Sequence, residues 1–202
     1  RGVGPNTWNN WKAVLIRALH SQTLDALENG LEDLNRNNRG KEAKKNLRVQ
    51  LKDWQRKDLQ IETSRHYDPY WQGHHVTAHV VFANLLRNIS EDEIRMDLHP
   101  DIDRDATRAC FIMADHPGIF ARLTGALALV GANVVDARSY TTKDGYVADA
   151  FWIQDNDGQP FEALKLPRLR EMIRKTLMGE VVTREAIKDR DKVKKREGAF
   201  RV

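Results

Sequence analysis

The fold turns on "ACFIMADHPGIFARLTGALALVGANVVDARSYTTKDGYVADAFWI" (residues 109–153), in which two apolar, strand-like runs flank a helix-like one and Asp-His-Pro-Gly stands at the first joint. "ATRACFIMA" (106–114) reads as a continuous apolar strand. In "GIFARLTGALALVG" (118–131), Ile119, Leu123, Ala126, Leu127 and Val130 recur at helical spacing, and Gly131 supplies a stop. "ANVVDARSYTT" (132–142) and "GYVADAFWIQD" (145–155) then read as two strands joined by Lys143-Asp144-Gly145. Asp-Gly between alternating runs signals a tight hairpin, because both central residues must tolerate positive φ.

Upstream of this stretch, "EIRMDL" (93–98) alternates and "HPDIDRD" (99–105) turns, which predicts an antiparallel pair with 106–114. Downstream, "DNDGQP" (155–160) is a turn and "LPRLREMIRKTLMG" (166–179) a second helix, with Pro167 in its first turn. Its Leu169, Met172, Ile173 and Leu177 face inward, Gly179 closes it, and "EVV" (180–182) supplies a short last strand. The order over 106–183 is strand, helix, strand, strand, helix, strand. Two helices on one face of an antiparallel sheet make a ferredoxin-like (βαββαβ) α+β sandwich. A two-residue hairpin register puts Val135, Ala137, Ser139, Thr141, Ala148, Ala150 and Trp152 on one face, small and apolar enough for helix packing. Val134, Asp136, Arg138, Tyr140, Val147, Asp149, Phe151 and Ile153 fall on the other, a composition suited to a partner surface. Arg138, Tyr140, Phe151 and Ile153 are the candidate interface residues.

Residues 1–92 read as helical. "TWNNWKAVLIRALHSQTLDALENG" (7–30) carries Trp8, Trp11, Leu15, Ala18, Leu19, Leu24 and Leu27 at three-four spacing, with Gly30 as a stop and "NRNNRGK" (35–41) as a polar loop. "KEAKKNLRVQLKDWQRK" (41–57) places Leu47, Leu51 and Trp54 along one stripe. A further helix covers 58–66 until Tyr67-Asp68-Pro69 interrupts it. "HVTAHVVFANLLRNI" (75–89) offers Val76, His79, Val80, Ala83, Leu85 and Leu86 as a buried face.

Of 202 residues, 41% are hydrophobic and 31% charged, a globular composition. No apolar run approaches the ~20 residues of a membrane helix, and no signal peptide is visible. The chain starts at Arg1 rather than Met and ends in "KKREGAFRV", so we expect a piece of a longer polypeptide. A single cysteine, Cys110, excludes an internal disulfide and fits a reducing cytoplasm. The net charge of +4 leaves 33 basic residues nearly matched by 29 acidic ones. The densest cluster, "DRDKVKKRE" (189–197), interleaves both signs and reads as a solvated linker. Neither a nucleic acid nor a membrane is therefore an expected partner.

At the Asp-His-Pro-Gly joint, Pro117 stiffens the turn and Gly118 opens the next helix, whose first amides lack internal acceptors and carry the positive end of its dipole. A carboxylate is well received there, and Asp115 suits an ammonium or amide group while opposing phosphate. A free amino acid offers both groups. The same residues also suit a plain strand-to-helix turn.

"DHPGIFARLTGALALVGANVVDARSYTTKDGYVADAFWIQD" resembles an ACT domain, a small ligand-sensing module of ferredoxin-like topology. "GANVVDARSYTTKDG" and "DHPGIFARLTGALA" resemble, more narrowly, the first of two ACT domains in the family of bifunctional PII uridylyltransferase/uridylyl-removing enzymes. "GVGPNTWNNWKAVLIRAL" and "SRHYDPYWQ" resemble the helical segment preceding those domains, and "VKKREGAFRV" the linker towards the second. The resemblance implies a helical connector over 1–92, an ACT domain with a leading strand over 93–183, and a basic linker over 184–202. It further implies glutamine as effector, bound by Asp115, His116, Pro117, Gly118 and Ile119 together with Asn133. A second ACT domain, from the same chain or a symmetry mate, and the PII protein are the implied partners. The family's Mg²⁺-dependent nucleotidyl transfer needs a Gly-Ser turn with paired aspartates, and its UMP removal a His-Asp dipeptide. Neither dipeptide occurs here, so no catalytic residue, cofactor or metal is assigned to this chain, and Mg²⁺ is expected only for the longer enzyme. The pairs Asp101/Asp103 and Asp155/Asp157 read as turn acids.

Rival readings remain. His75 and His79 are four apart, but no H-E-x-x-H frame or nearby cysteine supports zinc. RNA-binding domains share the topology, and Gly145, Tyr146 and Phe151 match their third-strand pattern, yet Ala148, Asp149 and Asp144 oppose base stacking. An amino-acid-binding ACT module of a biosynthetic enzyme is the closer competitor.

Overall fold

The structure, a computed structural model, describes residues 5–179 of the backbone, and the side chains of residue 24 and of 27–179. The expected strand at 180–182 and the linker over 184–202 lie outside the described residues. Helix α1 spans Pro5–Gln50, followed by α2 (Arg56–Arg65), α3 (Asp68–Gly73) and α4 (Val76–Leu86). Strands β1 (Arg95–Asp101) and β2 (Ala106–Ala114), helix α5 (Ile119–Leu129), and strands β3 (Asn133–Thr141) and β4 (Tyr146–Gln154) come next. A 3₁₀ turn (Ala163–Lys165) then leads into α6 over 166–179.

The expected stop at Gly30 and loop at 35–41 are not present, since α1 runs straight through both. Each glycine costs a helix interior only about 1 kcal/mol, Gly30 and Gly40 face open space, and Arg36 pairs along the helix with Glu32 and Asp33. Local stop signals lose to the hydrogen bonds gained by continuing. Leu24, Leu27, Leu31 and Leu34 repeat at three-four-three spacing along this stretch and are all exposed. Elsewhere in the helical half the helix expected over 41–57 ends at Gln50, and a short helix, α3, occupies 68–73, where the sequence predicts an interruption at Tyr67-Asp68-Pro69. On α4 the buried residues are Ala78, His79, Phe82, Ala83 and Leu86, while Val76, Val80 and Leu85 are half-buried. Among the described residues no helix is long and apolar enough to cross a membrane.

The sheet is antiparallel in the order β1-β2-β4-β3. β1 continues through His99-Pro100-Asp101, further than the alternation implied, and takes the outer position beside β2. Helices α5 and α6 cover one face through Leu123, Leu127, Leu169, Ile173 and Leu177, packed on Phe111, Phe151 and Ile153. The other face carries Cys110, Ile112, Ala148, Ala150 and Trp152 and lies against Leu47, Tyr70, Trp71, Phe82 and Leu86 of the N-terminal helices. Burial on both faces explains why β2 reads as unbroken apolar sequence.

The expected division of faces is wrong by one residue. The turn is not a two-residue loop with two positive-φ positions; among residues 142–145 only Gly145 has positive φ (89°). Thr142 N donates to Tyr146 O (2.8 Å), Gly145 N to Thr142 O (3.2 Å) and Tyr146 N to Thr142 Oγ1 (2.9 Å). The resulting register pairs Thr141 with Val147 and Ala137 with Phe151, and a bulge lies between Val134 and Asp136. Because strand side chains alternate, a one-residue slip exchanges the faces. Phe151 and Ile153, expected at a partner interface, are both 0% exposed inside the α5–α6 core. Arg138 and Tyr140 turn instead towards the protein's own helices: Tyr140 meets the rings of Tyr70 and His74, and the Arg138 guanidinium lies over Trp152.

Candidate functional site

The Asp115–Ile119 elbow leaves the end of β2 and enters α5. Asp115 N donates to Gly145 O (2.9 Å), which ties the elbow to the β3–β4 hairpin. Gly118 adopts the left-handed region (φ 82°) with nothing within 4 Å of a would-be Cβ, so its role is conformational and the space beside it is open. Ile119 N donates to His116 O (3.2 Å) and Arg122 N to Gly118 O (3.0 Å). A helix start leaves the intervening amides of Phe120 and Ala121 without intrahelical acceptors. Asp115 and Pro117 are exposed and His116 half-buried. Ile119 is buried in the core and its backbone N–H is already taken by His116 O.

His116 is held by a residue that sequence reasoning missed. Arg122 Nη1 lies 3.4 Å from His116 Nε2, while Arg122 Nη2 donates to Leu177 O (2.7 Å). With Nε2 accepting, the ring proton sits on Nδ1 and donates to Pro117 O (3.2 Å). Arg122 thus joins the elbow to α6. Asn133 is not brought to the elbow. It stands opposite Gln154, whereas Ala114 stands opposite Tyr146, so the two ends are separated by the length of β4. At ~3.3 Å per residue that is roughly 25 Å. Its amide donates to Asp155 O (3.1 Å), the turn role weighed from the sequence.

Asp149 was also missed as a functional group. It is fully buried on the α5 face of β4 and accepts from Ser139 Oγ (2.6 Å), while its second carboxylate oxygen has no hydrogen-bond partner among the described residues. Burial, with a smaller push from the Asp115 charge, raises its pKa to about 6 despite the Ser139 hydrogen bond. A carboxyl group with a raised native pKa favours the fold while protonated, and that benefit disappears as pH rises from 3.8 through about 6. Asp149→Asn is therefore expected to stabilise the protein by about 1–2 kcal/mol at pH ~8 and to change little at pH ~4, as read by urea unfolding at both.

Elbow, hairpin and N-terminal helices form one connected structure. Lys143 N donates to Arg65 O (2.8 Å), His66 bridges to Thr142, and Arg65 pairs with Asp144 (3.2 Å) and Glu62 (3.5 Å). The buried His66 Nε2 and Glu62 Oε1 lie 2.7 Å apart, and the His66 ring stacks on Tyr70 at 3.7 Å. His74, His79 and Phe82 surround the same tyrosine. Gly73 touches Tyr140 so closely that a Cβ would lie 1.8 Å from its hydroxyl, which fixes α3 against β3.

Among the described residues no group of three or more histidine, cysteine or acidic side chains could hold a metal. Asp101 accepts from Trp152 Nε1 (2.8 Å), and Asp155 Oδ1 from the amides of Asp157 and Gln159 (2.9 Å each). RNA stacking is not supported, since Phe151 is buried and the Tyr146 hydroxyl is directed at Ile89 O.

This sheet, helix pair and open elbow define an ACT domain, and residues 111–165 match that family. The similarity extends well beyond it. Over its whole length the chain is 66% identical to the bifunctional uridylyltransferase/uridylyl-removing enzyme of Ruegeria pomeroyi, of which it spans 23%. It is likewise 66% identical to the enzyme of that name from Cereibacter sphaeroides, spanning 22% of it. Over 90% of the chain it is 37% identical to the Azospirillum brasilense enzyme, spanning 20%. The chain thus matches about a fifth to a quarter of each relative.

Proposed function

We propose that this chain is the regulatory segment of a bifunctional uridylyltransferase/uridylyl-removing enzyme, binding a small effector at its ACT elbow. The effector is an amino acid, with glutamine the first candidate. Its carboxylate meets the amides of Phe120 and Ala121, and its ammonium meets Asp115. The observation that carries this reading is the unobstructed space at Gly118 beside those amides. Asn133 lies on the edge strand β3, so in this scheme it serves the elbow of a second ACT domain, in the same polypeptide or in another copy, that docks against this β3. The contacts from Gly145 through Arg65 to Tyr70 support transmission of occupancy into the helical connector, and from there to catalytic parts that act on the PII protein in the cytoplasm. Any Mg²⁺ belongs to those parts.

Melting the chain with each of the twenty amino acids tests the proposal, since a ligand specific to the folded state raises the midpoint. A selective rise with glutamine is expected. A rise with a different amino acid would favour a biosynthetic-enzyme module, and a flat response even with the second ACT domain restored would remove the sensor reading. Gly118→Ala is expected to cost about 1–2 kcal/mol of stability through left-handed backbone strain alone, because its methyl meets nothing. Thermal unfolding without ligand measures that loss.

A further inference from the structure

One stretch of α1 stands clear of the other described elements. Residues 27–39 are all exposed, and α1 meets the connector core only further on, where Ala43 and Leu47 pack with Tyr70, Trp71 and Phe82. Leu24, Leu27, Leu31 and Leu34, between 46% and 60% exposed, leave a continuous apolar stripe in solvent along this arm. Their three-four-three spacing is that of the a and d positions of a heptad, so the next a position falls on Asn38 and the next d position on Lys41. At about 3.6 residues per turn, Leu27 and Leu31 each lie roughly 160° around the helix from Leu47. Helices α2 to α4 sit on the Leu47 side and are therefore on the wrong face to cover the stripe.

A helix in water is held mainly by packing of its apolar face, so an arm with a bare leucine stripe gains by burying it. The residues around the stripe fit a second copy of the same helix. Its flanking positions are Glu28, Gly30, Asn35 and Asn37. Across a parallel pair, Gly30 of one copy faces Asn35 of the other and Asn37 faces Glu42, so no like charges meet. The remaining charges lie on the outer surface, where Arg36 pairs with Glu32 (3.5 Å) and Asp33 (4.0 Å) of its own helix. Asn38 sets the direction, because a single asparagine at an a position pairs with its counterpart and fixes register. Lys41 at the following d position ends the seam. We propose that residues 24–38 of α1 form a dimerisation seam, pairing with the same residues of a second copy of this chain as a short parallel coiled coil. Because Leu47 lies on the far side of each helix, the two bodies sit on the outer flanks of the pair and do not collide. The pairing brings two ACT domains into one assembly, and it does not depend on which effector the elbow takes.

Sedimentation equilibrium of the 202-residue chain tests this. Two heptads make a weak coil, so the dimer fraction should rise between about 5 and about 500 μM. Leu27→Lys and Leu31→Lys, both at exposed positions, should each raise the dissociation constant about tenfold or more. Leu164→Lys, at a site 94% exposed outside the seam, should leave it within about twofold. Air oxidation of the Asn38→Cys chain should give a disulfide-linked dimer on a non-reducing gel, since only parallel alignment brings the two positions together, and the native Cys110 is buried. A monomer across the whole range, or a dimer that survives both lysine substitutions, overturns the proposal. A leucine-dependent dimer that fails to cross-link overturns its parallel register.

Discussion

Lowering the pH from about 7.5 to about 4.5 should destabilise this protein by about 3 kcal/mol, and the loss should originate in the helical layer. Burial and neighbouring positive charge depress His74 to about 3, and burial depresses His79 to about 4 against its hydrogen bond to Tyr70 O. Both rings are held neutral by the fold and released to an ordinary value of 6.5 on unfolding. A depressed native pKa gives stability that is complete above 6.5 and lost as pH falls towards 4 and 3, because the unfolded chain takes up the protons first. The two histidines account for about 5 kcal/mol of loss at pH ~4.5, and protonation of Asp149 returns about 2. The histidines win. Urea denaturation at the two pH values measures the net change. His74→Gln should remove most of the dependence, leaving about 0.5 kcal/mol, and Asp149→Asn should steepen it to about 5 kcal/mol. A stability that rises on acidification would contradict the arrangement of these three groups.

Phe151→Ala is expected to cost about 3–5 kcal/mol, the range for emptying a fully enclosed aromatic site. Phe151 packs edge-on against Phe111 (5.8 Å) and tilted against Phe120 (5.4 Å), between the sheet and α5. Val135→Ser, at the exposed bulge of the edge strand, should stay within about 0.5 kcal/mol. Unfolding curves and sedimentation of both variants separate a core role from an interface role. A stable Phe151→Ala protein with altered self-association would restore the partner-surface assignment that the register overturned.

The elements of the ACT half were legible because each is specified locally. Proline and glycine at 117–118 mark the helix entry, Gly131 its exit (φ 80°) and Asp144-Gly145 the hairpin, while apolar spacing gives α5 its inward stripe. α1 was misread because glycine and asparagine weigh only weakly against a helix that continues on both sides. Asp149, Arg108 and Arg122 did leave a signal, each a charge set within an apolar run, but such a charge does not tell which atoms it will meet.

By itself the amino-acid order determined the sequence of strands and helices, the ferredoxin-like class and the elbow, since propensity, turn chemistry and periodicity act over a few neighbouring residues. Tertiary structure alone decided which face of β3 and β4 is inside, because a one-residue difference in the hairpin inverts every side chain while leaving the alternation unchanged. It also decided that Asn133 stands a strand's length from the elbow and that buried arginines and histidines gather against the sheet. Those placements depend on contacts between residues far apart in the chain, which local pattern does not encode.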